Sequence, residues 1–306
     1  MTSPFRLLAV AAITTGLFLA SCGGEESPTG TDETPQESAE GKKGPQGTNI
    51  LKVGDRLFNL PSPLETAMLI EEVGGDFYED MLNPNIDPTQ YSVKHIQAMN
   101  LGVYGADLGY CLIYNQSQKA FSLLASTKKL GTELGISPAL YSDLINRFEG
   151  NMENKDSLLI FISELNRLSD EYLKENESEN ISAMILYGGW LESLYFMPHL
   201  SKTLDSPELR QRVGEQEKTI ANLIGMIEQQ NGDGSFNDIL KDLRDLEKSF
   251  DKVETTYEWV TPETKPEEKL TVIKSKSSVS LDDNLLQEIS DKIANLRNQI
   301  ISTTAS

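Results

Sequence analysis

Two stretches of this chain place side chains capable of acid–base chemistry on one helical face. In the first, Asn100, Tyr104, Asp107, Cys111 and Tyr114 recur at steps of three or four. In the second, Gly188, Glu192, Tyr195 and His199 do the same. Asp107 and Glu192 are the acids of the two most apolar helices. If those helices pack together, the acids meet in the core, with Tyr104, Tyr195 or His199 as hydrogen-bond partners. Two carboxylates in a low-dielectric site do not both ionise cheaply, so one then holds a proton at unusually high pH. In an open cleft the same pair would be a general acid and base. In a pocket between helices it would face a ligand. Satisfied by a hydroxyl or a cation, it is core. Trp190 adjoins Glu192 as core or pocket wall. The candidate polar core or ligand pocket is therefore Asn100, Tyr104, Asp107, Trp190, Glu192, Tyr195 and His199, with no catalytic residue assigned.

Gly102, Gly105 and Gly109 form a second stripe on the first of these helices. Each glycine costs a helix about 0.8–1.0 kcal/mol relative to alanine. Close approach of a neighbouring helix is the usual compensation, and it is the expectation here. Other chemistry finds little material. His95 and His199 are the only histidines, too few for an imidazole zinc site. No nucleophile elbow, phosphate-binding glycine loop or dinucleotide fingerprint occurs. Asn231, Asp233 and Ser235 alternate as in a calcium loop, but Phe236 stands at the sixth position and Asp242 at the twelfth, where glycine and glutamate belong. Cys111, in an apolar helix with no base nearby in sequence, reads as an inert buried thiol. No metal and no cofactor are expected.

The elements that must position these residues are almost all helices. Ser62-Pro63-Leu64-Glu65 is a capping box with proline at the first helical position, and Gly74-Gly75 closes that helix. Asp76 to Tyr91 is a connection with a turn of helix. Further helices run from Ser92 to Tyr114, Ser117 to Gly135, Ser137 to Gly150, Asp156 to the charged turn at Lys174–Asn180, Ile181 to Met197, and Ser206 to Gln230. Asn231-Gly232-Asp233-Gly234 is a breaker. Phe236, Leu240, Leu243, Leu246, Phe250, Val253 and Tyr257 then form one seam, and Leu286, Ile289, Ile293, Leu296 and Ile300 a second. Thr256–Thr261 and Leu270–Val279 between them read as a β-hairpin. Tyr104-Gly105-Ala106-Asp107-Leu108 echoes Tyr187-Gly188-Gly189-Trp190-Leu191, but no constant period follows. The expected fold is mainly α, a bundle of about seven to nine helices with a small hairpin between the last two. Residues 50–306 form one domain, with 236–301 as a possible subdomain.

The N-terminus speaks to location. Arg6 is the only charge in the first 21 residues, and Leu7 to Ala20 is nearly all apolar. This is the order of a secretory signal, too short to span a bilayer, which takes about 20 residues. Leu19-Ala20-Ser21-Cys22 resembles the lipobox of bacterial lipoproteins. That resemblance implies cleavage before Cys22 and lipidation of its sulfur and new amino terminus, with residues 1–21 as signal peptide. Residues 22–49 are poor in apolar side chains and read as a disordered tether. Its reach is roughly 30 Å at about 5–6 Å × √n. Glu25-Glu26 resembles a surface-export signal of Bacteroidetes lipoproteins, so the lipid on Cys22 would hold the chain at the outer membrane, either periplasm-facing or exposed at the cell surface. Cleavage leaves 26 Lys and Arg against 47 Asp and Glu, a net of −21. Such a chain has no electrostatic reason to bind nucleic acid or an anionic bilayer surface. With Cys22 lipidated, Cys111 has no disulfide partner.

Asn100-Leu101-Gly102-Val103-Tyr104-Gly105-Ala106-Asp107-Leu108-Gly109-Tyr110 and Gly188-Gly189-Trp190-Leu191-Glu192-Ser193-Leu194-Tyr195 resemble segments of a family of all-helical lipoproteins from Bacteroidetes, flavobacteria especially. The Ser62-Pro63 start and the Leu296-Arg297-Asn298-Gln299-Ile300 end fit as well, so the resemblance covers residues 50–301. It implies source, fold and location, and supplies no catalytic residue. Three functions follow as alternatives: a non-enzymatic binding or structural module with an unidentified protein or small-molecule partner, a small-ligand sensor or carrier with a pocket in the bundle, and an acid/base enzyme using Asp107 and Glu192. Geometry separates them. The enzyme needs its carboxylates in an open cleft, the carrier an enclosed apolar pocket, the protein-binding module an exposed apolar patch.

Overall fold

A computed structural model describes residues 49–53, 56–84, 87–151, 154–176 and 178–302, all within a compact unit that begins at Lys43. The segments expected to be signal peptide (1–21) and, apart from Asn49, tether (22–49) lie outside the described residues. The fold is mainly α. Ten α-helices follow a short N-terminal hairpin among the described residues, one more than the upper end of the expected count. The hairpin pairs β1 (Asn49–Val53) with β2 (Arg56–Leu60), antiparallel, in a stretch ahead of Ser62 to which the sequence pattern assigns no element. Then come α1 (Pro63–Glu72), α2 (Lys94–Ile113), α3 (Ser117–Glu133), α4 (Pro138–Gly150), α5 (Lys155–Glu175) and α6 (Glu179–Thr203). The expected 206–230 helix is two, α7 (Pro207–Gly214) and α8 (Glu217–Gln229), broken at Glu215-Gln216. Gln216 is buried there and accepts a hydrogen bond from the Trp190 indole at 3.0 Å.

The chain ends with α9 (Asn237–Phe250), a long hairpin and α10 (Asp283–Ile301). The hairpin's base pairs β3 (Glu254–Glu258) with β6 (Lys276–Ser280), and its outer part pairs β4 (Glu263–Lys265) with β5 (Leu270–Val272). Tyr257 therefore leaves the seam expected of it. The helix stops at Phe250, and Tyr257 stands 63 % exposed on β3. No described helix is long and apolar enough to cross a membrane.

Helix starts follow local chemistry. Ser62 and Ser206 accept hydrogen bonds from Leu64 N and Leu209 N, each with proline at the first helical position. Gly74 and Gly135 adopt φ of +83° and +91° just past the ends of α1 and α3, where a side chain would be strained. α6 continues through Pro198, which removes one helical hydrogen bond. Surrounding residues compensate by burial, Met197, Leu200 and Ser201 among them.

At the centre, α2 packs on α6 in the most extensive helix–helix interface of the fold, and α10, α1 and α5 pack around this pair. The two echoing segments face each other across it. A Cβ on Gly102 would sit 2.0 Å from the Ile185 carbonyl oxygen, and one on Gly188 1.9 Å from that of Met99. Backbone here touches backbone, so these two positions demand glycine. Gly105 corrects the sequence expectation, because nothing lies within 4 Å of where its Cβ would be. At Gly109 the nearest atom is Leu64 Cδ1, at 3.6 Å. Close packing explains the first glycine of the stripe only. Gly102→Ala should accordingly destabilise by about 1–3 kcal/mol through overpacking. Gly105→Ala should be neutral or stabilise by up to about 1 kcal/mol through helix propensity. Urea melts of the two variants check this, and equal destabilisation contradicts it.

Candidate functional site

The α2–α6 pair has two chemically different sides. On one, Asp107 and Glu192 meet as the sequence suggested, both fully buried. The residue that joins them was not foreseen. Arg297 of α10, 4 % exposed, donates from Nε to Glu192 Oε2 and from Nη2 to Glu192 Oε1, each at 2.6 Å. Its Nη2 also donates to the Met81 carbonyl at 3.0 Å, and its guanidinium lies 4.1 Å from the centre of the Tyr195 ring. This is a bidentate, desolvated pair with a cation–π contact on one face. A signal for it existed: Arg297 follows Ile293 by four residues and precedes Ile300 by three, so it sits on the buried seam of α10.

Asp107 Oδ2 accepts from the Asn83 backbone N–H at 3.0 Å. No N–H or O–H of the described residues donates to its Oδ1. The Asp107 carboxyl is in hydrogen-bond contact with that of Glu192, and two ionised carboxylates cannot bond each other. One proton resolves both facts. Burial raises both carboxyl pKa values, and the charge of Glu192 raises that of Asp107 further. At Glu192 the bonds to Arg297 oppose the effect of burial. The proton therefore resides on Asp107, which donates to an ionised Glu192. With Arg297 the cluster is neutral overall, which is what a dry interior tolerates.

The other expected members divide. Asn100 is buried and donates through Nδ2 to the carbonyls of Ile96 and Ile300, each at 3.0 Å. Tyr91 donates to the Ile301 carbonyl at 3.2 Å. Together they satisfy carbonyls in the last turn of α10, which has no helical donors left. Tyr104 is buried beside Tyr91, and its hydroxyl is held strongly against ionisation by burial and by its neighbours. Tyr195 stacks on Arg297. Trp190 bonds Gln216 and faces away from the acids, and His199 is exposed on the outside of α6 and takes no part. Cys111 is buried, and burial pushes its thiol up to about 12, so it carries no thiolate at neutral pH. In the calcium-like loop, Asn231 Oδ1 and Asp233 Oδ1 already accept from Phe236 N and Ser235 N. Among the described residues no group of three or more His, Cys, Asp or Glu is placed to hold a metal.

On the opposite side of the pair lies a cavity of about 420 Å³, within the usual range of small-molecule sites. Leu101, Gly105, Ala106 and Gly109 of α2 line it, with Ile185, Leu186, Gly189 and Trp190 of α6. Ile162, Leu165 and Leu173 of α5 form one wall, and the Leu60–Leu64 segment another. Ser163, Asn166, Arg167 and Asp170 of α5, at helical spacing, make a polar rim. Sequence reasoning named none of α5 as site residues. The glycine stripe was the available signal, read as helix contact where Gly105 faces open space and Gly109 meets only the Leu64 side chain.

Two outcomes follow from the buried cluster. Arg297→Met should destabilise by about 3–5 kcal/mol, since it leaves Glu192 charged, buried and unpaired. Asp107→Asn keeps an acceptor for Asn83 N and a donor for Glu192, so it should stay within about 1 kcal/mol of wild type, whereas Asp107→Leu loses both bonds. Chemical denaturation at a fixed pH ranks the three. The second outcome concerns pH. Asp107 binds its proton more tightly folded than unfolded. Its stabilisation is complete below the ordinary aspartate pKa and declines as pH rises through the raised folded value. The stability of wild type relative to Asp107→Asn should fall as pH rises from the ordinary aspartate pKa towards the raised folded one, by at most about 1.4 kcal/mol per unit. A flat difference contradicts the protonated Asp107.

A scan against protein-family models finds no match, and searches of the curated proteins and of the solved structures likewise return no similar protein.

Proposed function

We propose that this chain is a lipid-anchored, non-enzymatic binding protein of the outer membrane that carries or senses a small, largely apolar molecule in the cavity between α2, α5 and α6. One observation carries the reading. Gly105 weakens its helix by about 0.8–1.0 kcal/mol relative to alanine, and no neighbour requires it, because nothing lies within 4 Å of a Cβ there. It stands on the cavity wall, so its effect is to keep that space wide. An acid/base enzyme finds no support in this geometry. Asp107 and Glu192 are sealed under Arg297 and do not line this cavity. The anchor rests on the lipobox-like Leu19-Ala20-Ser21-Cys22, and the outer-membrane location on the resemblance to Bacteroidetes lipoproteins.

A second reading, a protein-binding module, is favoured by the hairpin. Tyr257, Trp259, Leu270 and Ile273 are 45–71 % exposed on it. Large exposed apolar side chains clustered on one element mark interaction surfaces.

The cavity reading has a direct test. Wild-type chain extracted from its membranes should release an apolar small molecule detectable by mass spectrometry of the denatured protein. Gly105→Leu, which fills the cavity, should melt at the wild-type temperature or above and release none. A Gly105→Leu protein that still carries the molecule overturns the cavity as its site. In the same membranes Cys22→Ala should give an uncleaved or released form, and retention in the lipidated form's amount contradicts the anchor.

A further inference from the structure

We infer that the cavity takes a single-chain amphiphile with a carboxylate head, its tail along α2 and α6 and its head on Arg167. This rests on the cavity being a ligand site, as proposed above. The shape favours a chain. Both α2 from Leu101 to Gly109 and α6 from Ser182 to Trp190 line the cavity, and each stretch rises about 12 Å. A volume of about 420 Å³ along that length leaves a mean cross-section on the order of 35 Å². The space is therefore elongated along the helices. The part of its wall formed by α2 and by Ile185, Leu186 and Gly189 is aliphatic and glycine, which suits methylene groups, while Thr127, Tyr141, Ser169 and Ser182 add hydroxyls elsewhere.

The rim selects the head. Asp170 accepts from Ser182 Oγ at 3.1 Å and from Lys174 Nζ at 2.5 Å, so its charge is already met. Arg167 is the only Lys or Arg among the residues lining the cavity. Its Nη1 donates to Glu171 Oε1 at 2.6 Å. A guanidinium has five donors, so four remain, arranged for a planar, two-oxygen acceptor. An alcohol can use only one of those directions. A cationic head would lie against Arg167 itself. Elsewhere the chain, at a net −20, offers an anion little welcome, so the position of this one cation orients the ligand.

The test uses residues 22–306 carrying Cys22→Ser, which brings no lipid of its own; the packing described above lies within residues 49–302. The probes are dodecanoate, ¹³C-labelled at the carboxyl and kept below its micelle concentration, and dodecan-1-ol. Dodecanoate should bind one per chain, with its carboxyl titrating below the free acid because of the adjacent guanidinium. Arg167→Gln, at an exposed position, should weaken dodecanoate several-fold, as expected for a lost ion pair at a solvent-screened guanidinium. It should also abolish the titration shift and leave dodecan-1-ol nearly unchanged. Gly105→Leu should abolish binding of both. Wild-type affinity of Arg167→Gln for dodecanoate overturns the head assignment and leaves the cavity standing, as does stronger wild-type binding of dodecan-1-ol than of dodecanoate. Binding of both probes to Gly105→Leu overturns the cavity as the site. Failure of wild type to bind either probe overturns the amphiphile, while the molecule released from native protein still decides the reading beneath it.

Discussion

The structure depends on one buried ion pair. Glu192 and Arg297 are 105 residues apart, and their two 2.6 Å bonds bring the C-terminal helix against the central one. Removing two charges from water is expensive, and the attraction between them repays it only when every remaining polar group is satisfied. The rest of this side of the bundle supplies that satisfaction. The Met81 carbonyl takes a further guanidinium N–H, the Tyr195 ring covers its face, and Asp107 bonds the carboxylate through its proton. Asn100 and Tyr91 then take the last carbonyls of α10. The connection between α1 and α2 is held by Asp107 of this group, through Asn83 N, and separately by Tyr110, through Tyr78 N. Buried polar networks of this kind exclude alternative packings more than they add net stability.

That arrangement leaves α2 and α6 with a division of labour. Where the helices cross, Gly102 and Gly188 let backbone meet backbone. One face beside the crossing is closed by Arg297 and its partners. On the other, Gly105 and the smaller residues hold the helices' flank away from α5, and the cavity results. The two acids that first suggested chemistry serve the closed face. The cavity belongs to the open one.

Much of this was legible in the sequence. Ser62-Pro63 and Ser206-Pro207 announce helix starts through the side-chain acceptor and the fixed φ of proline, and both caps form. Single acids in otherwise apolar helices had to find each other or a cation, and they found both. What sequence could not supply was distance. A glycine stripe identifies a face, but crossing helices touch closely only near the crossing point. Gly105 and Gly109 lie about 5 and 10 Å further along the axis, where the neighbour has diverged. Arg297 stood on a visible seam, but only tertiary structure shows which buried acid a buried cation will meet. Tyr257 continued the spacing of α9 past its last turn, at Phe250, because periodicity cannot see where a helix stops. His199 shared a face with Glu192 by spacing, but two turns on that face has come round to solvent, and His199 is exposed while Met197 and Leu200 beside it are buried.

The central claim is that Asp107 and Glu192 are a structural pair sharing one proton under Arg297, not a catalytic dyad open to substrate. Carboxyl-carbon NMR of the ¹³C-labelled chain, titrated through the neutral range, addresses it directly. One aspartate carboxyl, lost in Asp107→Asn, should keep the chemical shift of a protonated acid well above the ordinary aspartate pKa, while a buried glutamate carboxyl stays ionised at the same pH. Two carboxyls titrating together near their ordinary values would show that water reaches the pair, and would contradict the account.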